Sequence, residues 1–224
     1  MSVLVREESL FQTLLKSPKL SLYQSEIEKV LLTEQQKRAD FYKWITEDTR
    51  AEFINGEVVM QSPAKHRHTT ASVKLVTLLN AYVMRHNLGV VCAETALITL
   101  TRNDYLPDIC FFGNAKAADI SGEQMTYPAP DFIIEILSPS TEKTDRGIKF
   151  QDYAAHEVQE YWLVDPDQNF VEQYTLNRGT YQHTATVNLG DAIRSYVIEG
   201  FEIDVDAIFT DSANLLALQS IISG

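Results

Sequence analysis

Glu135 lies in the middle of an apolar run, Phe132-Ile133-Ile134-Glu135-Ile136-Leu137, which ends at Ser138-Pro139-Ser140. β-Branched and aromatic residues stopped by a proline predict a buried strand. A carboxylate in such a strand costs several kcal/mol to desolvate unless a cation meets it. A second acid, Asp108, stands in Leu106-Pro107-Asp108-Ile109-Cys110-Phe111-Phe112. Pro107 cannot donate to a ladder, so it marks a strand start or an edge. With a two-residue period, Asp108 shares a face with Cys110 and Phe112, and Glu135 shares one with Ile133 and Leu137. Downstream, Asp145-Arg146-Gly147-Ile148-Lys149-Phe150-Gln151-Asp152-Tyr153 reads as helical and sets Lys149 one turn from Asp145 and Tyr153. Two strand-borne acids and an amine form a set that can hold a hard cation and act on a phosphodiester. Each also has a plainer role. Asp108 fits a turn former, Glu135 a structural salt bridge, and Lys149 a solvated pair with Asp145.

The surrounding pattern must bring these residues together. Residues 1–32 mix helix-like and loop signals and are expected to form a loosely attached extension. Thr33-Glu34-Gln35-Gln36 resembles a capped helix start, with Phe41, Trp44 and Ile45 at helical spacing and a stop near Glu47-Asp48. Asn55-Gly56 between two apolar runs predicts a hairpin over residues 51–60. A helix capped by Thr69 or Thr70 is expected to run to about His86. Strands are expected at 90–93, 96–100, 106–112 and through Glu135, with a loop over 113–130. A helix capped by Thr144 should reach Ala155, and three strands should follow at 160–164, 170–174 and 180–187. Gly147 costs its helix about 1 kcal/mol relative to alanine, which suggests close packing on the sheet. The order predicts an α/β (α+β) sandwich: a mixed β-sheet flanked by helices, with one crossover helix.

The 224 residues, 45% hydrophobic and 22% charged, fit one domain, with 33–210 as its body and 211–224 as a tail. No apolar stretch is long enough for a membrane span, and the start lacks the pattern of a secretory leader. Cys92 and Cys110 lie in apolar strand contexts and suit reduced core thiols, hence a cytoplasmic setting. The net charge of −12 is uneven. From residue 150 onward, Arg178 and Arg194 stand against twelve acids, whereas residues 1–149 hold seventeen bases and nineteen acids. The near-neutral part can therefore offer a phosphate surface, helped by bound cations. A homodimer is the expected assembly on frequency alone.

Several segments, taken in order, carry a resemblance. They are Ala51-Glu52-Phe53-Ile54-Asn55-Gly56-Glu57, Ser62-Pro63 followed by His68, Pro107-Asp108, Glu135-Ile136-Leu137-Ser138-Pro139-Ser140, Asp145-Arg146 with Lys149 and Tyr153, and Glu160-Tyr161-Trp162-Leu163-Val164-Asp165-Pro166. Together they resemble the bacterial Uma-type restriction endonuclease family, within the PD-(D/E)xK nuclease superfamily, over roughly residues 33–185. The resemblance implies a restriction-endonuclease-like core, a divalent metal (Mg²⁺ or Mn²⁺) and hydrolysis of DNA. It makes Asp108 the acid of the PD element and Glu135 the second acid, with the Ile136 carbonyl as a further metal ligand. The superfamily's usual lysine position is Leu137 here, and Lys149 matches the place in the following helix where this family carries its lysine. Glu52 and Glu57 match acidic positions, and either can join the site or simply pair on the hairpin surface. His68 is matched too, for phosphate contact or for orienting an acid, with helix capping as its plainer role. Tyr153 is expected to pack on the sheet with its hydroxyl at the site's edge, while Lys65 and Arg67 are candidates for backbone phosphates or for a solvated loop. Trp162 fits core or a dimer surface, and Asp165 a turn.

Two other functions compete with nuclease activity. One is a catalytically silent nuclease fold that binds nucleic acid or protein, favoured by the acidity and by Leu137. The other is a metal-dependent hydrolase of a smaller phosphate ester.

Overall fold

The computed structural model describes residues 3–223. Its centre is explained by two runs that are apolar on both sides. Phe132–Ile136 (β8) and Glu160–Asp165 (β9) are buried at every position, so layers must cover both faces of their sheet. They pair in parallel, joined by a crossover of Glu142–Thr144 (α5), a turn over Asp145–Lys149 and Phe150–Ala155 (α6). Around them run Phe170–Asn177 (β10), Thr180–Asn188 (β11), Gly89–Ala93 (β3) and Ile109–Gly113 (β6), all antiparallel to their neighbours. The six strands follow the order β11-β10-β9-β8-β6-β3. The mixed sheet and the crossover helix are as expected from the pattern.

Strand parity separates the two faces. Ile134, Ile136, Trp162, Val164 and Phe111 point to one side, where His66–His86 (α3) packs through Leu75, Leu78 and Leu79. Ala192–Arg194 (β12), Glu202–Asp204 (β13), Asp206–Phe209 (α7) and Asp211–Ser223 (α8) complete that layer. Lys74 of α3 pairs with Asp211 at 2.8 Å, so the last thirteen residues before the terminus form a docked helix rather than a loose tail. The opposite face carries Cys110, Phe112, Ile133, Tyr161 and Leu163, covered by α6 and a second sheet. That sheet has the order β2-β1-β5-β4-β7: Glu57–Met60 (β2), Ala51–Ile54 (β1), Asp104–Tyr105 (β5), Leu97–Thr99 (β4) and Thr126–Tyr127 (β7).

Several expectations need correction. The strand expected over 106–112 begins only at Ile109 (β6, in the large sheet), and Leu106–Asp108 crosses to it from β5 of the small sheet. A residue without an N–H suits the point where the chain leaves one ladder for another. The helix expected from Thr33 begins at Leu20 and runs unbroken for 25 residues to Trp44 (α2), preceded by Val3–Leu15 (α1). α3 starts at His66, not Thr69, so Arg67 and His68 lie in its first turn. Its left-handed cap is Asn87, at φ 52°. The 113–130 loop contains the short helix Asn114–Ala117 (α4) and β7. Asn55 and Gly56, at φ 50° and 81°, make the predicted hairpin turn. A Cβ on Gly147 would meet nothing within 4 Å, so that glycine does not serve close packing.

Candidate active site

Asp108 and Glu135 reach one point because β6 and β8 are antiparallel neighbours. Ile109 pairs with Ile134, so the next step along the ladder sets Asp108 opposite Glu135 on the face covered by α6. The two acids interlock through backbone donors. The Ile136 N–H donates to Asp108 Oδ2 at 2.6 Å, and the Asp108 N–H donates to Glu135 Oε2 at 3.3 Å.

Lys149 arrives from the crossover. Its turn, Asp145–Lys149, is π-helical, with five residues wound wider than an α-helix. Such single turns often accompany functional positions. Here the turn leaves both Asp145 and Lys149 buried over the sheet. The Lys149 ammonium lies 3.0 Å from Glu135 Oε1, 3.0 Å from Glu52 Oε1 and 3.4 Å from Asp145 Oδ1. Glu52 comes from β1 and also accepts the Leu106 N–H at 2.9 Å, which ties the small sheet to the crossing segment. The Tyr153 hydroxyl donates to Glu135 Oε1 at 3.0 Å from full burial. Beside it, Tyr105 donates to Asp152 Oδ2 at 2.9 Å and meets the Tyr153 ring edge-on.

His68, in the first turn of α3, places Nε2 3.3 Å from Asp108 Oδ2. Asp108 and His68 are the most open members of the cluster, at 19% and 15% side-chain exposure against 5% for Lys149. Solvent therefore reaches the acids from the Asp108–His68 side. Two buried atoms here make no hydrogen bond, Nδ1 of His68 and Oδ1 of Asp145. The first lies at the Asp108–His68 opening, and the second faces the Lys149 ammonium at 3.4 Å.

The charge balance is lopsided. Four carboxylates surround one ammonium and one imidazole. Burial pushes the Glu135 carboxyl well above its ordinary range, and the charges of Asp145, Asp108 and Glu52 add to this against the pull of Lys149. Asp145 is raised as well, by burial first and then by Asp108 and Glu52, against Lys149 and Thr141. Burial alone would lower the Lys149 ammonium, but Glu135, Glu52 and Asp145 outweigh it, and Lys149 holds its proton far more tightly than usual. His68 shows the same contest: burial disfavours its charged form, and Asp108 and Glu94 more than compensate. All these shifts favour the protonated forms, for the two acids through burial first and then neighbouring carboxylates, for Lys149 and His68 through the carboxylates around them.

Of the remaining sequence candidates, Glu57, Lys65 and Arg67 lie apart from this cluster. Glu57 is exposed on β2 and pairs with Lys37 of α2 at 2.6 Å. Arg67 pairs with Asp167 of the β9–β10 turn. Lys65 is exposed at the entry to α3. Ile136 is fully buried, with its N–H on Asp108. Trp162 is core, and Asp165 accepts the N–H groups of Asp167 and Gln168 in its turn. Asp145 is the cluster member that sequence reasoning left as a surface partner of Lys149. The i,i+4 spacing was its one signal. A further carboxylate, Glu160, is fully buried on the opposite face and accepts from Trp162, Gln173, Ser195 and the N–H groups of Tyr196 and Val197. With so many donors it is satisfied as an anion and serves the fold.

Known proteins resemble this chain over most of its length. Residues 38–206 match the Uma2 family, described as "Putative restriction endonuclease". Two curated relatives from Synechocystis sp., the uncharacterized proteins slr1290 and sll1609, are each 29% identical over 128 residues. That is 56% of this chain and 66% and 71% of theirs, so the match to the first spans just under two thirds of its length. A crystal structure from Anabaena variabilis, titled a "putative nuclease belonging to DUF820", superposes with a TM-score of 0.64 at 22% identity. It covers 75% of this chain and 94% of that one, and shares its fold.

Proposed function

This chain belongs to the Uma2 family, and from that premise we propose that it is a divalent-metal-dependent endonuclease that hydrolyses DNA phosphodiester bonds. The observation that carries the reading is the charge deficit: Glu135, Glu52 and Asp145 converge on Lys149, and Asp108, the most open of the four acids, stands beside them against His68. Hard oxygen donors suit Mg²⁺ or Mn²⁺, which are usually held by one or two carboxylates plus substrate phosphate rather than by a closed protein cage. Among the described residues no group of three or more His, Cys, Asp or Glu is placed to hold a metal ion by itself. Asp108 and Glu135 would hold the cation, with the Ile136 carbonyl as the remaining candidate ligand. The bound cation would lower the pKa of water and neutralise charge on the phosphate.

The chain's own residues do the rest. Lys149 holds its proton too tightly to act as a base, so it donates hydrogen bonds to the attacked phosphate or to the water. Glu52, Asp145 and Tyr153 fix the ammonium and Glu135 in place. His68, beside Asp108 at the open side, would receive the phosphate. In hydrolysis the water oxygen bonds to phosphorus, one P–O bond breaks, and the leaving alcohol takes a proton.

Relaxation of supercoiled plasmid in Mg²⁺ or Mn²⁺ tests this directly. Asp108→Asn and Lys149→Ala should each lower the nicking rate by about 100-fold or more, the scale of losing one electrostatic stabiliser. Nicking that survives both substitutions would place the chemistry elsewhere. A folded wild type that binds DNA yet cuts none with either metal would favour the catalytically silent reading.

A further inference from the structure

Cys92 and Cys110 are the chain's two cysteines, and the antiparallel ladder of β3 and β6 sets them directly opposite each other. Opposed residues of such a ladder share one face of the sheet, with Cα atoms about 4.5–5.5 Å apart. A disulfide needs Cα atoms about 4.4–6.8 Å apart, so this backbone can take one where it stands. The side chains meet as well: the Cys110 S–H donates to the Cys92 sulfur. Access separates the two. Cys110, on an inner strand, is 1% exposed. Cys92 lies on β3, an edge strand of the large sheet, and is partly open to solvent. The hydrogen bond from Cys110 outweighs burial and holds the Cys92 thiol below its ordinary value, towards the thiolate that attacks an oxidant. An accessible thiol with a second thiol beside it to resolve the product is the arrangement of a reversible oxidation site.

We infer that Cys92 and Cys110 are a peroxide-sensitive pair that closes into an intrachain disulfide, with Cys92 reacting first. The Cys92 thiolate attacks one oxygen of hydrogen peroxide and the O–O bond breaks. Hydroxide leaves and takes up the proton the thiol gave, and Cys92 carries a sulfenic acid. The Cys110 sulfur then attacks the Cys92 sulfur. The S–O bond breaks, and the departing hydroxyl leaves as water with the Cys110 proton. In sum, two thiols give two protons and two electrons to one peroxide, which becomes two waters. The loop so closed, residues 93–109, contains β4, β5 and the crossing segment with Asp108. A bridge there restricts the unfolded chain more than the folded one. It also makes the segment that delivers Asp108 sensitive to the redox state of its surroundings.

Peptide mapping of the folded full chain after a few equivalents of hydrogen peroxide tests the inference. In wild type the tryptic peptides 86–102 and 103–116 should become joined by a bond that dithiothreitol reverses. The oxidised chain should melt roughly 5 °C or more above the reduced one, the scale of a bridge across a loop of this length. Cys110→Ala should hold Cys92 as a sulfenic acid that dimedone traps. Cys92→Ser should leave Cys110 unmodified, because that thiol is shielded from the oxidant. Wild type whose two thiols can both still be alkylated after peroxide would overturn the inference. So would Cys92 carried on to sulfinic acid with no bridge, or a bridge between two chains in place of one within a chain.

Discussion

Lys149 sits within 3.4 Å of three acids and is 95% shielded from water, while no single acid in the cluster is equally indispensable. Removing the ammonium leaves buried carboxylates facing one another, a loss of the kind that costs about 3–5 kcal/mol. Neutralising one acid instead relieves the excess of like charge. Lys149→Met should therefore lower unfolding free energy in urea far more than Glu135→Gln, although both should abolish nicking. Equal destabilisation by the two variants would show that the cluster is not short of positive charge. Divalent cation in the buffer should return part of the Lys149→Met loss, because a cation bound to the folded state alone adds stability by mass action.

At the scale of elements, the crossover is pinned by Arg146 as well as by Lys149. The guanidinium reaches Glu142 within the crossover and Glu172 on β10. Burial alone would raise the Glu172 carboxyl, but the hydrogen bonds of Arg146 and Tyr174 outweigh it and hold it below its ordinary 4.5. A depressed folded-state pKa contributes stability that is complete above 4.5 and fades as pH falls through the lowered value. The stability gap between wild type and Glu172→Gln should accordingly narrow as pH is lowered from 6 towards 3, as read from urea midpoints. Much of this architecture was legible in the chain. Alternation grouped Asp108 with Cys110 and Phe112, and Glu135 with Ile133 and Leu137, while the family resemblance joined both acids to Lys149. Asn55-Gly56 announced the hairpin that delivers Glu52. Other parts left no trace. β5 and β7 are two-residue strands, too short to show any period. The π turn at Asp145–Lys149 has no residue signature of its own, so burial of Asp145 was not foreseeable from a spacing that equally suits a surface pair. Glu57 and Arg67 bear charges like those of site residues, and only the packing of α2 and of the β9–β10 turn sends them to Lys37 and Asp167.

For the molecule as a whole, acidity and the handling of a polyanion have to be reconciled. The last third carries most of the −12, and its strands β10 and β11 lie at the sheet edge away from β6. On the proposed function, a cation at Asp108 and Glu135 would lower the local repulsion where the phosphate would arrive. Binding of a fluorescent duplex should tighten several-fold when Ca²⁺ replaces EDTA, and weaken as NaCl is raised. Affinity indifferent to the divalent ion would detach the acidic cluster from DNA binding. The unbroken course of α2 has a further consequence. Its 25 residues make a rod of about 37 Å, with the outer turns bare and the inner turns clamped on Asp104 through Arg38. A stiff lever of this kind cannot be held at its far end without its near end feeling the torque. The near end rests on β5, which pairs with β1, the strand that carries Glu52 to the ammonium. One unbroken line of contacts thus runs from the helix through Asp104 and β1 to the seat of the lysine.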